Sequence, residues 1–346
     1  MKNETPCKNS VLVIGADNSG WSIDKDRLNV EKALNASNIK VTTNFLTCNK
    51  VFFVWWNLVI GRRYKLFKRF FPKKQWLAVV TNDMKHQVDD FNKAKPLVDR
   101  WICANYSQID FLKSHGVDSN QICYRPFYVS PSEFIPLKLE KPQLCKKLGL
   151  DYKQIENKYL IGSFQRDTIA NLKDAKWQKN PQQMIDLFKT LDQSKFLLVL
   201  AGPRRHFLVN ECIKNGIPYL FVGNEHPVQK GLDDLQENNL PPDKINLLYN
   251  LVDLYLISSK SEGGPKAVIE AALTKTNVLS TAVGMAPDLL ANECIYTNTI
   301  DLNAKVLSCK NNSIHSQSLI LQNFEKISEI NNFHNYSQAL KHILDF

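Results

Sequence analysis

Short apolar runs alternate with amphipathic stretches along almost all of the 346 residues. This is the pattern of parallel strands covered by helices. In the first half the runs that predict strands are Val11–Ile14, Ile39–Phe45, Val51–Trp55, Trp76–Thr81, Arg100–Ala104 and Gln121–Tyr124. Helices are expected between them, among them "KDRLNVEKALNAS" and "YSQIDFLKSHG", the latter ending on a glycine as helices commonly do. The rhythm breaks between Pro126 and Lys158, where Pro126, Pro131, Pro136 and Pro142 fall within seventeen residues among charged ones. Strand patterns resume at Tyr159–Ser163, Phe196–Ala201, Tyr219–Val222, Leu254–Ser258 and Asn277–Thr281, and the last thirty residues read as helical. The expectation is an α/β chain of two Rossmann-like domains facing a cleft. The first spans 1–127, a linker 128–157, the second 158–312, and C-terminal helices over 313–346 are placed to cross back to the first. Ligands bind in clefts between such domains.

The first strand runs into "GADNSGWSID", where a dinucleotide-binding protein would carry its phosphate loop. That fingerprint needs glycines at the first, third and sixth positions, the middle one so that backbone can approach a pyrophosphate. Gly15 and Gly20 fit, but Asp17 holds the middle place and would repel phosphate. No Asp or Glu closes the second strand run, "IKVTTNFL", where a ribose partner belongs. The turn reads as a strand-to-helix connection, not a nicotinamide or flavin site.

Composition narrows the picture only a little. A content of 44% hydrophobic residues is enough for ordinary cores, and a formal charge of +10 permits anionic partners without selecting one. No nucleic-acid motif or basic-aromatic repeat appears, so no nucleic-acid partner is expected. The eight cysteines are scattered, none within four residues of another, which encodes no zinc knuckle or redox pair and suits reduced thiols. The N-terminal "MKNETPCKNS" has no apolar signal core, and "VFFVWWNLVI" falls short of the about 20 residues a bilayer span takes. A cytoplasmic protein is expected.

The most informative stretch is "LYLISSKSEGGPKAVIEAALTKTNVLSTAVG". A hydrophobic strand ends in small polar residues, a turn of Glu262, Gly263, Gly264 and Pro265 follows, and a helix is expected from about Pro265, whose fixed φ suits a first turn. Paired glycines let backbone approach a ligand closely, and a helix start offers free amide N–H groups to an anion. Glu262 can accept hydrogen bonds from sugar hydroxyls, and Glu270, eight residues on, can hold a ribose diol. Taken alone, the stretch is equally a capped surface helix with two incidental carboxylates.

It does not stand alone. The stretch resembles the E-x7-E signature of GT-B glycosyltransferases, specifically the large retaining group called family 4. "VDRWICANYSQIDFLKSHGVDSNQICYRPFYVSPSEFIPL" is similar to that group's end of the acceptor domain, with a V-x4-F-x-P tail in Val129, Phe134 and Pro136. "LIGSFQRDT…KWQKNPQQMIDLF" resembles the first strand and helix of the nucleotide domain. The resemblance covers residues 98 to 290 well and the first ninety in pattern only. It implies that Arg166 and Lys179 neutralise the donor diphosphate, with Lys173 or Lys176 able to replace Lys179 because "DTIANLKDAKWQ" is inserted between them. Glu262 would contact the donor sugar, Glu270 the ribose, and Gly263, Gly264, Pro265 and Lys266 would line the sugar and phosphates. Two positions depart from the pattern: Gly264 stands where a Phe is frequent, and Lys266 where a neutral residue is common.

The chemistry so implied is retaining, hexosyl-type transfer from a nucleotide diphosphate sugar to a glycan or lipid-linked acceptor, in surface polysaccharide or glycoconjugate synthesis. No metal and no cofactor are called for. "DKD", Asp24 and Asp26, has the letters of a metal-binding D-x-D but opens a helix and reads as a cap. On the acceptor side, Gly20 and Trp21 of the first loop and Asp83 and His86 of "VVTNDMKH" are the candidates. The segment 61–74, "GRRYKLFKRFFPKK", carries seven basic and no acidic residues, with Tyr64, Phe67, Phe70 and Phe71 near helical spacing. It reads either as an interfacial helix at an anionic membrane or as an ordinary outer helix with its aromatics packed on the sheet. The rival functions are a sugar-nucleotide epimerase of the same fold and a non-catalytic nucleotide- or glycan-binding protein.

Overall fold

The computed structural model describes residues 10–15 and 22–345. Its strands form two six-stranded sheets, each parallel throughout. The first contains β1 (Ser10–Ile14), β2 (Lys40–Val41), β3 (Lys50–Phe53), β4 (Gln75–Val80), β5 (Arg100–Cys103) and β6 (Ile122–Tyr124), in the order β2-β1-β3-β4-β5-β6. The second contains β7 (Tyr159–Ser163), β8 (Phe196–Ala201), β9 (Tyr219–Val222), β10 (Leu254–Ile257), β11 (Asn277–Thr281) and β12 (Ile295–Tyr296), in the order β12-β11-β10-β7-β8-β9. Helices cover both faces of a parallel sheet, so its central strands read as unbroken apolar runs. In β8, "FLLVLA", all six residues are buried.

Two compact units result. One runs to Tyr128 and takes in the chain from Ile330; the other is continuous from Val129 to Glu329. In the first unit the final helix, Phe333–Leu344, brings Tyr336, Leu340, Ile343 and Leu344 into one core with Val30, Phe52 and Leu77. Arg100 Nη1 donates to the Ile343 carbonyl at 3.1 Å, and Tyr128 stacks on Tyr336 with ring centroids 4.5 Å apart. The Pro-rich stretch packs into the second unit. Its backbone amides at Ile135 and Leu137 donate to the Asn246 and Asn250 side chains at 3.0 and 2.7 Å, and Leu144 of the helix Lys141–Leu148 is buried.

The strand expected over Ile39–Phe45 shortens to Lys40–Val41. The cause is local. Asn44 Oδ1 accepts from the Leu46 amide at 2.9 Å and Thr42 Oγ1 from the Asn44 amide at 3.1 Å, so side chains satisfy backbone groups that a ladder would otherwise use. Phe45 then stacks on Phe67 at 4.5 Å. Gly15 also finds its reason: with φ at +146°, a Cβ there would lie 1.8 Å from Val54 Cγ2. The turn after β1 is glycine because the segment after β3 crosses it closely.

Candidate functional site

In the second sheet the chain steps outward from β7 to β9, then returns to lay β10 on the other side of β7, with Tyr255 opposite Gly162. The loops leaving β7 and β10 diverge, and the crevice beyond the carboxyl ends of such a strand pair is where doubly wound sheets bind ligands. Arg166 leaves β7 into this crevice, and Glu262 leaves β10.

The insertion between Arg166 and Lys179 folds as a small excursion closed by a bridge between Thr168 and Ala175. Its return is tied to the end of β10: Ser258 Oγ donates to the Lys179 carbonyl at 2.8 Å and the Lys260 amide to the Gln178 carbonyl at 2.7 Å. This fixes Lys179 beside the signature turn. Its Nζ donates to Glu262 Oε1, which also accepts from Ser259 Oγ at 2.9 Å. Lys176 is half-buried near both, whereas Lys173 is exposed on the Asn171 turn.

The electrostatics identify what the crevice favours. Burial first, then the charges of Arg166 and Lys179, hold the Lys176 ammonium below its usual range, with Glu262 opposing and Arg204 adding. Arg166 is likewise lowered by burial and then by Arg204. Arg166, Lys179 and Arg204 thus all stand within electrostatic reach of Lys176, with Glu262 and Asp233 as compensating carboxylates; Arg204 Nη2 donates to Asp233 at 2.7 Å. Like charges gathered in a partly dry place favour an anion.

Beneath them lies a support invisible in the sequence. Asp167 and Arg205 are 1% and 0% exposed, with Asp167 Oδ2 and Arg205 Nε 3.6 Å apart. Asp167 accepts from the Phe207 and Leu208 amides at 3.2 and 3.3 Å, while its own amide donates to the Arg204 carbonyl at 3.1 Å. The residues next to Arg166 and Arg204 are therefore anchored to each other. Burial pushes the Asp167 carboxyl up to about 6, against the pull of Arg205 and the two amides.

The signature turn is held by contact with the loop after β11. Gly284, at φ +52°, lies so close that a Cβ would stand 2.9 Å from Pro265 Cδ and 3.0 Å from Gly264 Cα and N. The helix spans Ala267–Leu273 with Lys266 at its N-cap position, so it starts two residues later than Pro265, although Val268 already donates to the Pro265 carbonyl at 3.0 Å. Gly263 and Pro265 are buried; Gly264 and Lys266 are half-buried. Glu270 falls in the first turn, and its Oε2 accepts from Tyr249 OH at 2.8 Å. The Tyr249 hydroxyl, fully buried and facing that carboxylate, is held well above its ordinary range, first by desolvation and then by Glu270.

Of the acceptor-side candidates, Gly20 and Trp21 lie outside the described residues. Asp83 and His86 sit in the turn after β4, where Asp83 Oδ1 accepts from the Lys85 amide at 3.1 Å and Asp83 Oδ2 stands 3.8 Å from His86 Nε2. They belong to the first unit. Among the described residues no three His, Cys, Asp or Glu side chains gather as a metal site, and no helix is long and apolar enough to cross a membrane. The described cysteines are free thiols. Sequence reasoning missed Tyr249, Ser259, Arg204 and Gly284; "AGPRR" directly after a buried strand was the one local signal among them.

Residues 164–320 match the family model described as glycosyl transferases group 1. No curated protein matches the chain by sequence. Among solved structures, Anabaena HepE, solved with UDP and glucose, aligns with a TM-score of 0.73 at 12% identity over 97% of this chain and 99% of that one. Sucrose-phosphate synthase from Thermosynechococcus elongatus aligns at 0.70 and 13% identity over 98% of each chain. A glycosyltransferase from Rickettsia africae aligns at 0.62 and 16% identity, covering 98% of this chain and 97% of that one. The crevice lies within the segment that matches the family model, and the two parallel six-stranded sheets have the GT-B architecture that these structures share.

Proposed function

We propose that the chain transfers a hexosyl group from a nucleoside diphosphate sugar to a glycan or lipid-linked acceptor, with retention at the anomeric carbon and with no metal. The observation that carries this reading is the meeting of Arg166, Lys176 and Lys179 with Glu262 at the carboxyl ends of β7 and β10. A diphosphate leaving group gains negative charge as the glycosidic bond breaks, and preorganised cations in a partly dry site stabilise that charge. Arg166 supplies a planar fork suited to two phosphate oxygens, and the lysines supply point charges. These three cations take the charge-neutralising role that a divalent ion would otherwise have.

Donor binding draws Lys179 from Glu262 to the diphosphate. Glu262, still held by Ser259, then accepts from the donor sugar's hydroxyls. The Gly263 and Gly264 amides line the sugar and phosphate beside Pro265 and Lys266, and Glu270, oriented by Tyr249, holds the ribose diol. HepE, of the same architecture, was solved with UDP and glucose, which fits a donor of this kind. Asp83 and His86 serve the acceptor side in this scheme.

The test is nucleotide release from a panel of nucleoside diphosphate sugars with glycan and lipid-linked acceptors, run with and without EDTA. One donor should be consumed at the same rate in both, and the product should show the donor's anomeric configuration by NMR. Inversion would remove retention, loss of rate in EDTA would remove metal independence, and binding without turnover on every acceptor would leave a binding protein.

A further inference from the structure

The helix Arg62–Phe70 answers half of what its sequence asked. Tyr64 and Phe67 turn inward, Tyr64 onto Phe53 and Trp76 and Phe67 onto Phe45, and Phe71 follows onto Phe45. Lys68 and Lys74 are also used locally, Lys68 on Asp99 at 2.5 Å and Lys74 on the Cys48 carbonyl. What remains is an outer face of different composition. Leu66 and Phe70, one helical turn apart, are 56% and 68% exposed. Arg62, Arg63, Lys65, Arg69 and Lys73 are exposed around them. Neighbouring Leu46, whose carbonyl accepts from Lys74 Nζ at 3.3 Å, is exposed as well.

Folding gains nothing from leaving a Phe and two Leu in water. Two apolar side chains one turn apart, ringed by five cations in a segment with no acid, match a surface that is negative outside and apolar just beneath. That is an anionic bilayer: headgroups meet the cations, and Leu66 and Phe70 reach the acyl boundary. We propose that this face seats the protein on an anionic lipid surface. Because Tyr64, Phe67 and Phe71 are committed to the core, docking needs no rearrangement of the helix. The proposal stands apart from donor chemistry.

The test is co-sedimentation of the full chain with phosphatidylcholine vesicles, with and without phosphatidylglycerol, at low and high salt. Binding should require the anionic lipid and weaken with salt. Arg62→Ala with Arg69→Ala should weaken partitioning by about fivefold per charge removed. Leu66→Ser with Phe70→Ser should leave binding weaker and more salt-sensitive, while far-UV circular dichroism stays that of the parent. Failure to bind anionic vesicles, equal binding to neutral ones, or parent-like binding by both variants would overturn the proposal. So would duplex DNA that displaces the vesicles and binds the Leu66→Ser, Phe70→Ser chain as well as the parent, since that reassigns the face to nucleic acid.

Discussion

Glu262 accepts from Lys179 and from Ser259, so the carboxylate and the ammonium are each placed by the other. Lys179→Ala should lower kcat by about a hundredfold, the scale seen when one preorganised donor to a developing charge is removed. Lys173→Ala, an exposed side chain, should leave kcat within about twofold. Equal losses in steady-state kinetics would return the diphosphate role to the wrong lysine. Asp167 invites a different measurement. Its folded carboxyl titrates at about 6, above the ordinary value near 3.9, chiefly because it is buried. Between those two values the folded chain holds a proton that the unfolded chain releases. The contribution of this group to stability therefore falls as pH rises through that window and is level above it. Asp167→Asn abolishes that slope. In urea denaturation, the stability of the parent relative to the variant should be greater near pH 4.5 than near pH 7.5; a constant difference would mean that Asp167 titrates in its ordinary range.

At the scale of elements, the turn after β10 depends on the loop after β11. Gly284→Ala would place a methyl 2.9 Å from Pro265 Cδ and 3.0 Å from Gly264 backbone, at a φ of +52°. We expect about 1 kcal/mol of lost stability from the backbone conformation, and a further loss of donor affinity as the Gly263–Gly264 turn shifts. Nucleotide titration followed by thermal shift would read both, and unchanged affinity would free the turn from its neighbour. This pairing explains what could be read in advance. Strands β7, β8, β9 and β11 were legible to the residue because each is a short run centred on buried apolar residues and bounded by polar or turn-forming ones, with β8 buried along its whole length. Glu262, Arg166 and Lys179 stand out in the sequence because each sits in a motif of its own, and the structure brings Lys179 onto Glu262. Tyr249, Arg204 and Gly284 were not, since what makes each matter is tertiary: the order β12-β11-β10-β7-β8 brings the loops of Arg204 and Gly284 beside those of Arg166 and Glu262, and packing sets Tyr249 of the helix Pro242–Leu251 against Glu270. The basic segment shows the limit from the other side: helical spacing marked four aromatics as a stripe, but only contact with Phe45 and Phe53 separates Tyr64, Phe67 and Phe71 from the exposed Phe70.

For the whole molecule, the two units close differently, and this has consequences for where stability resides. The second unit is continuous from Val129 to Glu329 and contains the entire crevice. The first needs the end of the chain: Tyr336, Leu340, Ile343 and Leu344 bury themselves among Val11, Val30, Phe52 and Leu77. At about 1.5–3 kcal/mol per large apolar side chain, removing these four costs on the order of 10 kcal/mol, as much as a domain of this size has in total. A chain ending at Asn331 should therefore lose the first unit and keep the second. Limited proteolysis of that truncated chain should degrade the residues up to 128 and leave a resistant fragment beginning near Val129. The fragment 129–329, expressed alone, should bind a nucleoside diphosphate within a few-fold of the full chain by calorimetry, yet transfer nothing if, as proposed, Asp83, His86 and the rest of the first unit serve the acceptor. If the truncated chain resists proteolysis throughout, the terminal helix is an ornament of the first unit. If the fragment folds but fails to bind, the crevice borrows an essential contact from residues before Val129, and the donor site must be redrawn to include them.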